Sequence, residues 1–253
     1  KTSLLEAVYV SILGTPLNSF KKAGNEHSRN SKTLFSSVSE IKNQRGTTAK
    51  HAFISSKGGR KHFIDDTQTT IRDAYLSTPV CLTDSNIEKI ASESPEYRRK
   101  LIDRSVFHVE PSHAKNHREF KRCLTQRNRV LSKKRPQQEI NAWNEPLALA
   151  GEKISKARQD LLMEAKPYFK EVTNEMLGSG YGFSFVRGWK AKTYLESLLK
   201  NEKKDVILKS TSRGPQKEDF KLLCLDKKTK IYSSHGEEKL ASIAFVVSLN
   251  MAI

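Results

Sequence analysis

The chain opens on Lys1 and Thr2, a lysine followed by a hydroxyl residue, and runs straight into an apolar helical pattern. In a phosphate-binding loop of the form G-x-x-x-x-G-K-[ST], the glycines let backbone N–H groups cradle phosphates. The lysine of that loop reaches the outer phosphates and the hydroxyl binds magnesium. Only the last two letters of the pattern are present, and such a dipeptide occurs in nearly every protein, so it carries little alone. A second cluster of chemically capable residues is Lys57, Arg60 and Lys61 around Gly58-Gly59 in "HAFISSKGGRKHFIDD". It reads as a basic hairpin tip, either a contact for a polyanion or an ordinary solvated turn. Cys81, Cys123 and Cys224 are far apart and odd in number. They match neither a disulfide framework nor a zinc site and are expected to be reduced and inert.

The elements that must position these residues belong to a basic globular chain. Forty-five Lys and Arg against 28 Asp and Glu leave a formal charge of +17 over 253 residues. An imbalance of this size points to a nucleic-acid phosphate backbone as partner, without implying any sequence preference. An apolar content of 36% is enough for real cores in one large or two ordinary domains. No apolar stretch is long enough to cross a bilayer, and the start lacks the order of a signal peptide, which makes the cytoplasm the expected compartment.

Leu4, Leu5, Val8 and Ile12 recur at steps of three and four, predicting a first helix with a broad buried face. "TLFSSVSEI" reads as exposed strand, and "HAFISSKGGRKHFIDD" as a hairpin with Phe53 and Phe63 flanking the turn. From Pro95 the pattern turns helical, in "PEYRRKLIDRSVF" and "SHAKNHREFKRCLTQRNRVLSKKR". Phe120, Leu124, Arg127 and Leu131 share a face of the second run. Leu147, Ala150, Ile154, Ala157 and Leu161 form a coiled-coil-like seam expected to stop at Pro167. With "RPQQEINAWNEP" as connection, the two runs are expected to pack antiparallel as an arm. Beyond Gly178, "GFSFVRGW", "VILKSTSRGPQKEDFKLLCLD" and "TKIYSS" read as strands and turns. Phe183, Phe185 and Trp189 have the pattern of core residues, although aromatic rings can also stack on exposed bases. The helical part thus reads as an insertion in an α/β head whose outer segments pack together.

In their order and spacing, "KTSLLEAVYVSILGT", "PEYRRKLIDRSVFHVEP" with "EFKRCLTQRNRVL", "FSFVRGW", "SRGPQKED" and "SSHGEEKL" resemble the RecF family of bacterial recombinational repair proteins. The resemblance spans almost the whole chain. It implies an α/β fold, an ABC-type, SMC-like P-loop ATPase head with an inserted, mainly helical second lobe. The implied organisation is residues 1–94 as the first part of the head, 95–178 as the helical lobe and 179–253 as the return to the head.

The same resemblance implies the site. Lys1 would be the P-loop lysine and Thr2 the magnesium-binding hydroxyl, with the preceding strand and glycine loop missing, so the sequence is expected to be a fragment. "SSHGEEKLASIAFVVSLNMAI" resembles the ABC signature loop and its helix, and the acidic strand that follows in the family is absent. Ser234 and the backbone of Gly236 would meet the γ-phosphate of ATP held by the other subunit, because free N–H groups and the dipole at a helix start favour an anion. Read without the resemblance, SSHGEE is a serine N-cap with acidic residues in the first turn. Four departures from the family stand out: Glu237 where Gln is usual, His235 where many members have Arg, Cys81 near the Q-loop glutamine, and Gln216-Lys217 where many have His-Arg.

The implied function is DNA repair and recombination: an ATP- and Mg2+-dependent homodimer that binds double-stranded and gapped or single-stranded DNA. It would act with RecR/RecO-type mediators to load the RecA recombinase, with links to replication and the SOS response. The parent protein would be a weak DNA-dependent ATPase, and these residues alone are expected to be inactive. For DNA the candidates are Arg98, Arg99, Arg122, Arg129, Lys57, Arg60 and Lys61, with pairing to acidic residues inside the fold as the alternative for the four arginines of the helical part; Arg127, on an apolar face, has the structural reading. The rival function is a non-enzymatic basic DNA-binding module with a degenerate ATPase head, and a further one a decayed gene.

Overall fold

The computed structural model describes residues 2–14, 35–42, 46–56, 59–78, 87, 89–92, 94–133, 136–225, 227–228 and 233–253. The chain divides into two compact units, residues 1–80 and 81–253.

The first unit holds helix α1 (Thr2–Leu13), strands β1 (Phe35–Lys42), β2 (Thr48–Ser56), β3 (Gly59–Ile64) and β4 (Thr67–Thr69), and helix α2 (Ile71–Ser77). The strands form an antiparallel sheet in sequential order. The predicted hairpin is β2–β3, whose tip residues Lys57 and Gly58 lie outside the described residues. Asp65 and Asp66 both have positive φ, 48° and 63°, between the paired Ile64 and Thr67. Two left-handed central residues make the type I′ turn whose twist suits a two-residue hairpin.

The register pairs Ser37 with Phe53, Ser39 with His51, and Phe53 with His62. Side chains alternate along a strand, so these five residues share one sheet face. Helix α1 lies against that face through small groups. The Ser37 hydroxyl donates to the Ala7 carbonyl at 2.6 Å, and the Ser11 and Ser39 hydroxyls are 2.5 Å apart. Val10, Ser11, Ile12 and Gly14 are buried, whereas Leu4 and Leu5 are 72% and 66% exposed and Val8 is also exposed. The burial predicted for Leu4, Leu5 and Val8 is therefore not observed. The sheet offers serine hydroxyls, which seat the Ala7–Ser11–Gly14 stripe of α1 in place of its leucines.

The second unit contains α3 (Lys89–Ser92), α4 (Pro95–Val109), α5 (His113–Ser132) and α6 (Gln137–Leu177). After these come β5 (Tyr181–Val186), α7 (Tyr194–Lys200), α8 (Glu202–Leu208), a 3₁₀ turn at Pro215–Lys217, β6 (Asp219–Cys224), β7 (Lys227–Lys228) and α9 (His235–Met251). Strands β5, β6 and β7 form an antiparallel sheet. Phe169 of α6, Phe183 of β5, Phe220 of β6 and Phe245 of α9 interlock at its core, Phe220 stacking on Phe245 with centroids 4.2 Å apart. Each such ring contributes roughly 1.5–3 kcal/mol by leaving water. A second cluster places Trp189 and Tyr194 against Phe120 and Cys123 of α5 and Leu147 and Ile154 of α6. Phe183 and Trp189 are thus core residues.

Three expectations are corrected here. Helix α6 does not stop at Pro167, and "QQEINAWNEP" is not a connection: α6 runs unbroken for 41 residues with Pro146 and Pro167 inside it. A proline removes one backbone hydrogen bond and leaves one carbonyl free. Pro167 is exposed and Pro146 half-buried, so the ring lies toward water while the Leu147–Leu161 stripe stays packed. Val206-Ile-Leu, read as strand, belongs to α8, a short helix that leaves these three residues exposed, is capped by a left-handed Lys209 and is anchored by buried Asp205.

Close approach explains two glycines. A Cβ on Gly151, inside α6, would lie 2.7 Å from the Tyr194 ring. Gly188 of "VRGW" faces the Gly214 carbonyl of "SRGP" so closely that no side chain fits, and the Gly214 N–H donates to the Gly188 carbonyl at 3.2 Å. Two separate sequence motifs therefore meet backbone to backbone.

Candidate functional site

Ser234 is the N-cap of α9. Its hydroxyl accepts the Glu237 N–H at 3.3 Å, and the Glu237 carboxylate accepts the Ser234 N–H at 2.7 Å, a complete capping box. The box accounts for two of the N–H groups that a helix start leaves without an intrahelical partner. The N–H groups of His235 and Gly236, in the same first turn, face the exposed end of the helix. Ser234, His235 and Gly236 are all exposed. Among the described residues, a Cβ on Gly236 would meet nothing closer than the Ser234 hydroxyl at 4.0 Å. Packing within the fold therefore does not require glycine there, although glycine in a helix costs about 1 kcal/mol relative to alanine. The absent side chain leaves this helix end open, and the dipole favours an anion there. The Glu237 carboxyl is held below its ordinary range by its hydrogen bonds to Ser234, so it brings a negative charge to the same helix end.

Lys1 lies outside the described residues, as do Cys81 and Lys57. Thr2 is the first residue of α1.

The basic residues separate by environment. Arg98 of α4 is buried and forks onto Asp219 of β6, Nε to Oδ1 at 2.7 Å and an Nη to Oδ2 at 3.0 Å, with a further bond to the Ile90 carbonyl. Arg99 donates to the Glu218 carbonyl at 2.7 Å, and burial pulls its pKa down. Arg98 thus pairs with an acidic side chain, whereas the Arg99 bond is to a backbone carbonyl. Arg122 pairs with Glu119 on its own helix at 2.6 Å and lies over the Trp143 ring at 5.5 Å. Arg129, Arg60 and Lys61 are exposed. Arg127 is fully buried and donates to Asn144, Asp205 and Thr211 at 2.7–2.8 Å, which is the structural role its helix face predicts.

Sequence reasoning missed a buried ionic cluster. Arg158 of α6 forks onto Asp103 of α4 at 2.7 and 2.8 Å and also donates to Glu218 at 2.8 Å and the Pro215 carbonyl at 2.9 Å. His113 and His117 of α5 approach the same Asp103 oxygen. Burial alone would raise the Asp103 pKa, but hydrogen bonds from His113, His117 and Arg158 hold it well below the carboxylate range. Burial pushes Glu218 up despite Arg158. The signal available in the sequence was the His113–His117 spacing, which puts both rings on one helical face; the partner Asp103 lies on another helix. Cys123 is buried and its thiol is pushed up to about 11, first by burial and then by Glu119, in keeping with an inert cysteine.

Comparison with known proteins places this arrangement. The chain is 33% identical over 171 residues to the DNA replication and repair protein RecF of Coxiella burnetii (strain CbuG_Q212), covering 66% of this chain and 47% of that protein. It is 27% identical over 259 residues to the RecF of Nitrosococcus oceani, covering 98% of this chain and 69% of that protein. A solved structure of the recombination mediator protein RecF-ATPrS in the RecFOR pathway superposes with a TM-score of 0.82 at 20% identity, over 99% of this chain and 72% of the other. No protein-family model matches the chain. The fold is α/β with a large helical region, shared with that solved structure. The chain is thus similar to RecF proteins over up to 98% of its length, and it spans about half the length of the first of these relatives.

No helix among the described residues is long and apolar enough to cross a membrane.

Proposed function

We propose that this chain is part of a RecF-type DNA repair ATPase: a cytoplasmic, ATP-dependent, dimerising protein that binds duplex DNA at single-strand gaps. There it helps RecR/RecO-type mediators load the RecA recombinase, in a setting that includes replication and the SOS response. The observation that carries this reading is the start of α9, where an exposed Ser234 cap and a glycine the fold does not need lie within a family whose solved neighbour is named with a nucleotide.

The residues fit a nucleotide shared between two copies. The N–H groups of His235 and Gly236 and the Ser234 hydroxyl form an anion-attracting end open to approach. Lys1 and Thr2 supply, by the family pattern, the phosphate-binding cation and the magnesium hydroxyl. ATP with magnesium, when bound, supplies the concentrated charge that both ends hold. For DNA, the +17 charge and the exposed Arg60, Lys61 and Arg129 support phosphate contacts.

A second reading has one observation in its favour. The ionised Glu237 at the α9 start opposes an incoming phosphate, as expected of a basic DNA-binding module whose head no longer closes on ATP. Sedimentation of the full-length protein with and without ATP and magnesium separates the two. A nucleotide-induced dimer abolished by Ser234→Arg supports the first, and a monomer indifferent to ATP that still binds DNA supports the second.

A further inference from the structure

Asp103 near the middle of α4 and His113 and His117 in the first turns of α5 bring three metal-ligating atoms together. The Nε2 atom of His113 is 3.0 Å and that of His117 3.3 Å from Asp103 Oδ1, and the two Nε2 atoms are 3.1 Å apart. An ion held tetrahedrally at the usual zinc distances separates its ligand atoms by about 3.3 Å. The observed triangle is thus that of three ligands around one ion, slightly contracted.

Hydrogen bonding alone accounts for this triangle poorly. Asp103 Oδ1 already accepts from Arg158 Nε at 2.7 Å. Without an ion, either one imidazole N–H is shared between that oxygen and the facing ring nitrogen 3.1 Å away, or the oxygen takes two further donors that crowd each other. An ion satisfies both imidazole lone pairs and the oxygen at once. Asp103 and the rings are held from behind: Arg158 fixes both Asp103 oxygens and is itself fixed by Glu218 at 2.8 Å, and the Phe107 ring packs on His113 and His117, while His113 Nδ1 has no hydrogen-bond partner among the described residues. The His113 side chain is fully buried and that of His117 is 31% exposed, so an ion has an approach from the His117 side.

We propose that Asp103, His113 and His117 form a binding site for a divalent transition metal of the zinc class. Two imidazoles and one carboxylate suit such an ion, whereas magnesium and calcium prefer all-oxygen shells. The ion clamps the start of α5 onto α4, and its fourth position is left to water. This site is distinct from the nucleotide site and does not depend on it.

The test is a Co2+ titration of the metal-stripped, full-length protein, with Zn2+ competition and thermal unfolding alongside. Saturable visible bands of tetrahedral cobalt at one equivalent are expected, displaced by Zn2+, with a zinc-dependent rise in unfolding temperature. His117→Gln, at the partly exposed position, is expected to weaken Co2+ binding about tenfold or more and to remove the zinc-dependent rise. Absence of tetrahedral bands in the wild-type protein overturns the proposal, as does binding that His117→Gln and Asp103→Asn leave unchanged.

Discussion

Ser234 and Glu237 bond to each other in both directions at the start of α9, at 2.7 and 3.3 Å. The glutamate, standing where the resemblance implies glutamine, therefore keeps the geometry of the cap and changes only its charge. Glu237→Gln retains both bonds and removes a negative charge from the proposed phosphate site. It is expected to strengthen nucleotide-dependent dimerisation severalfold, the gain shrinking as salt is raised. Dimerisation constants measured at two salt concentrations check this; an unchanged constant at low salt would separate the carboxylate from the nucleotide.

Gly236 gives the opposite test. Since a Cβ there meets nothing closer than 4.0 Å among the described residues, Gly236→Ala is expected to stabilise α9 by up to about 1 kcal/mol. It is also expected to weaken the nucleotide-dependent dimer by crowding the approach to the His235 and Gly236 N–H groups. Unfolding and dimerisation measured on one preparation reveal whether the two properties move apart, as a binding role requires, or together, as a purely structural glycine would have it.

Arg129 and Arg98 divide the arginines by role. Arg129→Ala is expected to leave folding unchanged and to lower the steepness of the DNA-binding salt dependence by roughly 0.9, the share of one neutralised phosphate. Arg98→Ala leaves Asp219 without its bidentate partner and is expected to lower stability while the salt slope stays as it was. DNA titrations over a range of salt, paired with urea unfolding, distinguish the two effects.

Arg127 and Asp205 are 0% and 1% exposed at their side chains. Removing one partner of such a pair leaves a buried charge, so Arg127→Ala is expected to cost about 3–5 kcal/mol. Arg127→Lys keeps the charge but cannot reach Asn144, Asp205 and Thr211 together, and is expected to cost about 1–3 kcal/mol. Urea midpoints measure both, and wild-type stability in the lysine variant would show that the fork geometry is unimportant.

His51 and His62 share the buried sheet face of the first unit, and burial lowers both ring pKa values below the ordinary 6.5. The unfolded chain therefore binds protons first as pH falls. The stability these rings contribute is present above the unfolded value and is lost as pH drops through the lower folded values. Amide exchange of β2 and β3 is expected to speed up between about pH 7.5 and 5.5, after correction for intrinsic rates, and His51→Gln to flatten the profile.

The sequence makes some of this legible and hides the rest for physical reasons. The β2–β3 hairpin, α4 and α5 carry their patterns locally, and Arg127 on an apolar face already indicates a buried role. The course of α6 is hidden because Pro146 and Pro167 look like breaks until their solvent-side placement is seen. The face of α1 is misread because its leucines are more apolar than the Ala7–Ser11–Gly14 stripe that the serine-bearing sheet accepts. Val206-Ile-Leu reads as strand because a short helix seated by Asp205 has no periodicity to display. The Asp103–His113–His117 cluster is built across two helices, and only the i,i+4 histidine pair is visible in one dimension. The α9 start is the reverse case, since SSHGEEKL suggests both a cap and a phosphate contact and the structure contains the cap.

The most direct measurement mixes two defective proteins. Full-length Lys1→Ala and Ser234→Arg are each expected to stay monomeric with ATP and magnesium. Mixed, they can form one composite site from the lysine of one copy and the intact Ser234 of the other. Sedimentation of the mixture is expected to show a nucleotide-dependent heterodimer with one ATP bound. A mixture as monomeric as its components, or either variant dimerising like the wild type, would contradict a nucleotide shared between Lys1 of one subunit and Ser234 of the next.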